Sequence, residues 1–400
     1  MQRHLPLNMN QLELLNHSVQ VVAPSAATWD TFSTQLFPVY DHTILDFLNV
    51  FSKELMGAGR EWPDLAALGF FIRKNSLQQE IETRKAMSQG CAMPIGMVFH
   101  LVPSNVPTVA FYSWIAALLQ GNPSIIRLSS KQDPIQNAIL TILNRLFSED
   151  EWRGISARTR FIRYEHQDEI TAIFSEYCAK RVIWGGDQTI RAIRKIPLSP
   201  KAQEQVFPDR KSIAILDTDW LSSLTEVELA SLVKKFAADV TQFNQQACAS
   251  PVIIYWFNKP ADQLRQSFWS QLSLQFNDGS VDKYEQRVKT QYWAAVDWYQ
   301  ASEPFGEIQT LQTENIGNYH NLEFGHGVFI EQILQNISEL KGQTFQTCVF
   351  VGQDINTFYK QFESEPNIRI DRICEAGQAL AFNWYWDGFD MLKAFSRNFH

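Results

Sequence analysis

Four hundred residues are more than one small core organises, so two or three domains are expected. With 45% hydrophobic and 20% charged residues the composition is that of a soluble globular chain, and a net charge of −8 argues against non-specific nucleic-acid binding, which needs a basic footprint. The five cysteines, Cys91, Cys178, Cys248, Cys348 and Cys374, are odd in number and contain no CxxC pair; neither a zinc site nor a disulfide framework is indicated, and a reducing, cytoplasmic setting fits.

The first ten residues lack a signal-peptide pattern, and residues 1–90 read as mainly helical. Ile44, Phe47, Leu48, Phe51 and Leu55 recur on one helical face, and Pro63-Asp64 opens a further helix. Met93 to Leu119 is apolar and long enough to span a bilayer. Pro103, Pro107, Ser104 and Asn105 interrupt it where lipid offers backbone no partners, so it reads as strand, loop and buried helix, with no integral membrane association. From there the pattern alternates. Strands are predicted at 97–102, 124–128, 160–164, 180–184 and 212–216, and helices at 108–120, 134–147, 168–178, 188–194 and 225–243. Gly121-Asn122-Pro123 stops the helix over 108–120. An apolar strand, 252–257, opens a second α/β unit whose stretch 276–313 is ambiguous; a strand at 384–388 and a closing helix are expected at the end.

Cys248 lies in the polar turn Asn244-Gln245-Gln246-Ala247-Cys248-Ala249-Ser250, between a helix and a buried strand. A partly exposed thiol beside backbone N–H groups can ionise and act as a nucleophile; an inert core cysteine is the plain alternative. Asn105, on a stiff loop between prolines, can donate its amide to a developing oxyanion or merely form a turn. Gly185-Gly186, between a strand and a helix, suit a pyrophosphate at a helix N-terminus, or a simple tight turn. Arg127, Ser129 and Lys131 follow a strand and can receive a ribose phosphate, or form a solvated strand end. His320 and His326 lack the carboxylate pattern of a metal helix, and no metal site is expected.

Taken in order, many short blocks resemble the acyl-CoA reductase family that includes the fatty acid reductase of bacterial luminescence, within the aldehyde dehydrogenase superfamily. They are Phe99 to Pro107, Tyr112-Ser113-Trp114, Gly121 to Ser129, Trp184 to Asp187, Phe207 to Arg210, Asn244 to Pro251, Phe345-Gln346-Thr347, Asp371-Arg372 and Trp386 to Asp390. The resemblance covers roughly 90–400 and implies an α/β, aldehyde dehydrogenase-like fold with a Rossmann-type cofactor domain and a second α/β catalytic domain. The expected boundaries are a helical part at 1–90, a cofactor domain at 91–243, a catalytic domain at 244–375 and a segment 376–400 returning to the cofactor domain.

By resemblance Cys248 is the nucleophile, Asn105 the oxyanion donor and Gly185-Gly186 the phosphate turn. Arg127 stands where the superfamily has a ribose-binding lysine, and Glu323 where a Glu contacts the nicotinamide ribose. Phe207 occupies the place of the Glu that activates water in hydrolytic members, with Asp209 an alternative base. Loss of that base favours thioester reduction over release of free acid. The implied function is NADPH-dependent reduction of a long-chain acyl thioester to the fatty aldehyde, with NADH the second choice. The partner is acyl-CoA, an acyl carrier protein or an acylated protein, and homo-oligomers are usual in the superfamily. An aldehyde dehydrogenase forming free acid and a non-catalytic binding subunit are the alternatives.

Overall fold

The computed structural model describes residues 4–87, 90–103, 106–208, 210–276, 281–296, 298–313 and 325–399. It divides into two compact units: Met1–Asp209 with Phe382–Tyr385 and Phe389–His400, and Arg210–Ala381 with Trp386–Gly388. The chain therefore parts at 209/210 and not at 243/244. The strand Ser212–Asp217, expected in the cofactor domain, instead pairs with Pro251–Phe257 and Thr344–Val351 in the second sheet. Hydrophobic period identifies a strand but does not say which sheet receives it.

The first unit holds a six-stranded sheet in the order Gln20–Ala23, Thr159–Arg163, Ser124–Arg127, Val98–Leu101, Lys180–Trp184, Gln203–Phe207. All neighbours are parallel except the first pair. The chain runs outward from Val98–Leu101 to one side, then crosses to Lys180–Trp184 on the other, so the strand order reverses beside Val98–Leu101. In parallel α/β sheets ligands gather beyond the carboxyl ends at such a reversal. The apolar stretch resolves into the strand Val98–Leu101 and the helix Val109–Leu119, every residue of which is buried. No helix among the described residues is long and apolar enough to cross a membrane.

The helix Val109–Leu119 ends at Gly121, whose φ is 78° and where a Cβ would stand 2.1 Å from the Phe37 carbonyl oxygen, so only glycine fits. Next to it the buried Asn122 makes four hydrogen bonds. Its Oδ1 accepts from the N–H groups of Ile95 (2.9 Å) and Gly96 (3.0 Å); its Nδ2 donates to the carbonyls of Ala117 (3.2 Å) and Phe395 (2.8 Å). The helix His42–Ala58 buries the five predicted residues Ile44, Phe47, Leu48, Phe51 and Leu55. The closing helix is only Met391–Ala394; Ser396–Phe399 is a strand, antiparallel to Cys91–Pro94.

The second unit is built on a seven-stranded sheet in the order Ala301–Phe305, Ile308–Gln312, Val328–Leu334, Pro251–Phe257, Ser212–Asp217, Thr344–Val351, Arg369–Glu375. Only the first pair is antiparallel. Alternate residues face opposite cores: Ala214, Leu216, Ile254 and Trp256 on one side, Ile213, Ile215, Ile253 and Tyr255 on the other. The ambiguous stretch contains the helix Lys283–Ala295, which buries only Gln286 and Trp293, followed by the hairpin Ala301–Phe305/Ile308–Gln312.

Candidate active site

Cys248 stands just before Pro251–Phe257, the middle strand of the second sheet. The helix expected to reach Phe243 ends at Val240. Phe243, Asn244 and Gln245 then take φ of 51°, 55° and 61°, three consecutive left-handed residues; Asn tolerates this backbone, while Phe243 and Gln245 each cost about 1 kcal/mol or more in it. Gln245 Nε2 donates to the Pro251 carbonyl at 3.1 Å. The Ser250 N–H donates to the Ala247 carbonyl at 2.9 Å, closing a turn with Cys248 in its first central position. The Ser212 hydroxyl donates to the Cys248 carbonyl at 2.6 Å and accepts from the Thr347 N–H at 3.1 Å. One buried hydroxyl thereby ties the turn to the amino end of Ser212–Asp217 and to the middle of its neighbour Thr344–Val351.

The other cysteines differ. Cys178 and Cys374 are buried, and burial pushes each thiol up to about 12; burial drives the Cys348 thiol well above its ordinary value. Thiols so held stay protonated and unreactive. Cys91 is exposed at the start of an edge strand. Cys248 alone combines partial exposure with a turn at the head of a central strand.

Beside the turn lie blocks to which the sequence assigned no role. Gln346, whose N–H donates to the Lys211 carbonyl at 3.0 Å, donates Nε2 to Asp387 Oδ1 at 2.5 Å. Burial raises the Asp387 carboxyl to about 6, against the opposing pull of Gln346, Arg210 and Arg372. Arg210 forms an ion pair with Asp371. Two further residues have no assigned place in this turn from the sequence: Ser212, a polar residue at the head of an apolar strand, and His326, weighed there only as a metal ligand, whose ring meets the side chains of Asn244 and Gln246.

In the first unit, Arg127 and Gly185 stand at or just past the carboxyl ends of the strands flanking Val98–Leu101. Arg127 sits over the Tyr164 ring at 5.0 Å and donates Nη2 to the Tyr164 carbonyl at 3.4 Å, while its buried Nε has no hydrogen-bond partner. Ser129 Oγ accepts from the Lys131 N–H at 3.2 Å, and Lys131 is exposed. Gly186 is the N-cap of the helix Asp187–Arg194, with no side chain capping it. An orphaned guanidinium nitrogen and an uncapped helix N-terminus on one sheet edge suit a phosphate-bearing dinucleotide. Phe207 is buried at the end of its strand and stacks on Trp184 with ring centroids 3.8 Å apart. Asn105, Asp209 and Glu323 lie outside the described residues.

Comparison with known proteins extends this geometry. The long-chain acyl-protein thioester reductase 2 of Photobacterium leiognathi is 24% identical over 405 residues, covering 94% of this chain and 80% of that protein. The long-chain acyl-protein thioester reductase of Photobacterium phosphoreum is 26% identical over 304 residues, 73% of this chain and 59% of that one. Among solved structures, aldehyde dehydrogenase 21 from Physcomitrella patens in complex with succinate superposes with a TM-score of 0.65 at 12% identity, covering 89% of this chain and 84% of its own. The Mycobacterium tuberculosis aldehyde dehydrogenase complexed with NAD+ gives 0.63 at 12% identity, over 90% and 85%. The fold resembles that of the aldehyde dehydrogenases, two α/β units of which the first is Rossmann-like. The sequence profile of the family described as acyl-CoA reductase (LuxC) matches residues 71–278, just over half of the chain and inclusive of the Cys248 turn, and the chain belongs to that family.

Proposed function

We propose that the protein reduces a long-chain acyl thioester to the fatty aldehyde through an acyl-enzyme on Cys248. The observation that carries the reading is the placement of Cys248: half-buried, in a tied turn at the head of the central strand, while three other thiols are sealed in the cores. The Cys248 thiolate attacks the thioester carbonyl. The Asn105 amide and the Cys248 backbone N–H stabilise the oxyanion, and the carrier leaves as its thiolate. A dihydronicotinamide, when bound, supplies the hydride that reduces the acyl carbon. The thiohemiacetal on Cys248 then collapses, expelling aldehyde and regenerating the thiolate.

Arg127, Ser129 and Lys131 are the groups for a 2′-phosphate, which favours NADPH over NADH; Gly185-Gly186 hold the pyrophosphate and Glu323 the nicotinamide ribose. Phe207, packed on Trp184, offers no base for water, which supports transfer from and to thiols over hydrolysis. The acyl donor is acyl-CoA, an acyl carrier or an acylated partner protein.

Mass spectrometry of the intact protein after incubation with acyl-CoAs of graded chain length, without cofactor, tests this. One acyl adduct, on Cys248 and absent from Cys248→Ala, is expected. An adduct that persists in Cys248→Ala, or rapid release of free acid from aldehyde and NADP without a thiol, overturns the scheme.

A further inference from the structure

His326 is 7% exposed, and every polar group it carries is engaged. Its N–H donates to the Asn244 carbonyl at 3.1 Å and its carbonyl accepts from Gln286 Nε2 at 2.8 Å. Its Nδ1 meets the Asn244 side-chain amide at 2.8 Å, and its Nε2 meets the Gln246 amide at 3.3 Å. The ring thus spans the left-handed segment Phe243-Asn244-Gln245, two of whose side chains have no intrinsic preference for that backbone. The approach is close. At Gly325, φ 125°, a Cβ would stand 3.0 Å from the Asn244 carbonyl oxygen and 3.2 Å from Gln246 Cγ. His326 itself has φ 56°.

Burial holds the imidazole below its ordinary pKa, with Lys289 acting in the same sense and Asp282 and Glu285 against it. A neutral imidazole has one donor and one acceptor, so one amide presents its NH2 and the other its oxygen. The ring therefore fixes the orientation of both amides as well as their position.

We propose that His326 is a positioning residue for the Cys248 thiol: it clamps the strained turn two residues ahead of the sulfur and sets the angle at which the thiolate meets the acyl carbonyl, without touching substrate. The inference rests on Cys248 being the nucleophile. It makes the second anchor of the turn, opposite in kind to Ser212, which holds the Cys248 carbonyl from the sheet side.

The test is rapid-mixing acylation of the full-length protein by a long-chain acyl-CoA, following release of the CoA thiol and reading the maximal rate and the half-saturating concentration separately. His326→Ala is expected to lower the maximal rate by about ten- to a hundred-fold, with half-saturation moved by less than about threefold. His326→Gln, which keeps one donor and one acceptor, is expected to recover most of that rate. Gln246→Leu, which removes one clamp partner, carries the same expectation as His326→Ala should the latter not fold. A wild-type maximal rate in His326→Ala or in the folded Gln246→Leu, a change confined to half-saturation, or no recovery by His326→Gln overturns the positioning role alone. Absence of acylation at Cys248 in the wild-type protein removes the nucleophile reading and the inference with it.

Discussion

Ser212 gives the Cys248 turn its tie to the sheet with a single hydroxyl, so removing it has a calculable consequence. In Ser212→Ala the buried Thr347 N–H and the Cys248 carbonyl both lose a partner. A buried polar group left unpaired costs about 1–3 kcal/mol, and urea denaturation is expected to show a loss of that order together with a changed rate of Cys248 alkylation. Unchanged stability and alkylation would mean that water replaces the hydroxyl. For Asn105 the expectation is chemical: Asn105→Ala lowers the rate of aldehyde formation about 10²–10³-fold, the usual effect of losing one oxyanion donor. A decrease of less than about threefold in steady-state assays sinks that role. At this scale the turn that carries Cys248 is legible in the sequence, because a polar run before an apolar strand is local information. Ser212 and His326 were not legible. Their significance comes from residues 36 and about 80 positions away, and no periodicity reports such meetings.

Elements were readable where one face is buried and the other exposed, and unreadable where burial is uniform or slight. The helix His42–Ala58 shows its five core residues in the spacing alone. The helix Lys283–Ala295 leaves Tyr284, Val288 and Tyr292 exposed, which erases the amphipathic signal. Strand Ser396–Phe399 is one of the least buried in the chain, held by pairing with Cys91–Pro94 and not by a hydrophobic face. What joins such weakly patterned pieces is specific hydrogen bonding, and Asn122 is the clearest instance. It links the segment before Val98–Leu101, the end of the helix Val109–Leu119 and the C-terminal Phe395. Asn122→Ala strands the Ile95 and Gly96 N–H groups and the Phe395 carbonyl at once, while the Ala117 carbonyl keeps the backbone N–H of residue 122. A loss of about 3 kcal/mol is expected in thermal or urea unfolding. It should be accompanied by faster amide exchange in Ser396–Phe399; full protection of that strand would show that its pairing stands without the asparagine.

Across the whole molecule, the buried titratable groups of the two units respond to acid in opposite senses. In the first, His100 is fully buried, meets Ser113 Oγ at 2.8 Å, and is driven by burial down to about 3. The unfolded chain binds a proton there below about 6.5 that the folded one refuses, so stability present above that pH is lost as pH falls, by at most about 1.4 kcal/mol per pH unit. In the second, the Asp387 and Asp239 carboxyls are raised by burial to about 6. The folded state holds protons there that the unfolded state releases above about 3.8, so their contribution is complete in acid and is lost as pH rises through about 6. Unfolding midpoints of the full chain, followed from pH 4.5 to 8 (roughly the span these groups cover), separate the two. His100→Gln, relative to wild type, is expected to flatten the decline in stability below about pH 6.5. Asp387→Asn, which keeps an oxygen to accept from Gln346, is expected to gain on wild type as pH rises through about 6, by at most about 3 kcal/mol. Parallel pH profiles for wild type and His100→Gln would show that the imidazole finds a proton-accepting partner when it charges. A constant offset for Asp387→Asn would show that its carboxyl ionises normally beside Arg210 and Arg372.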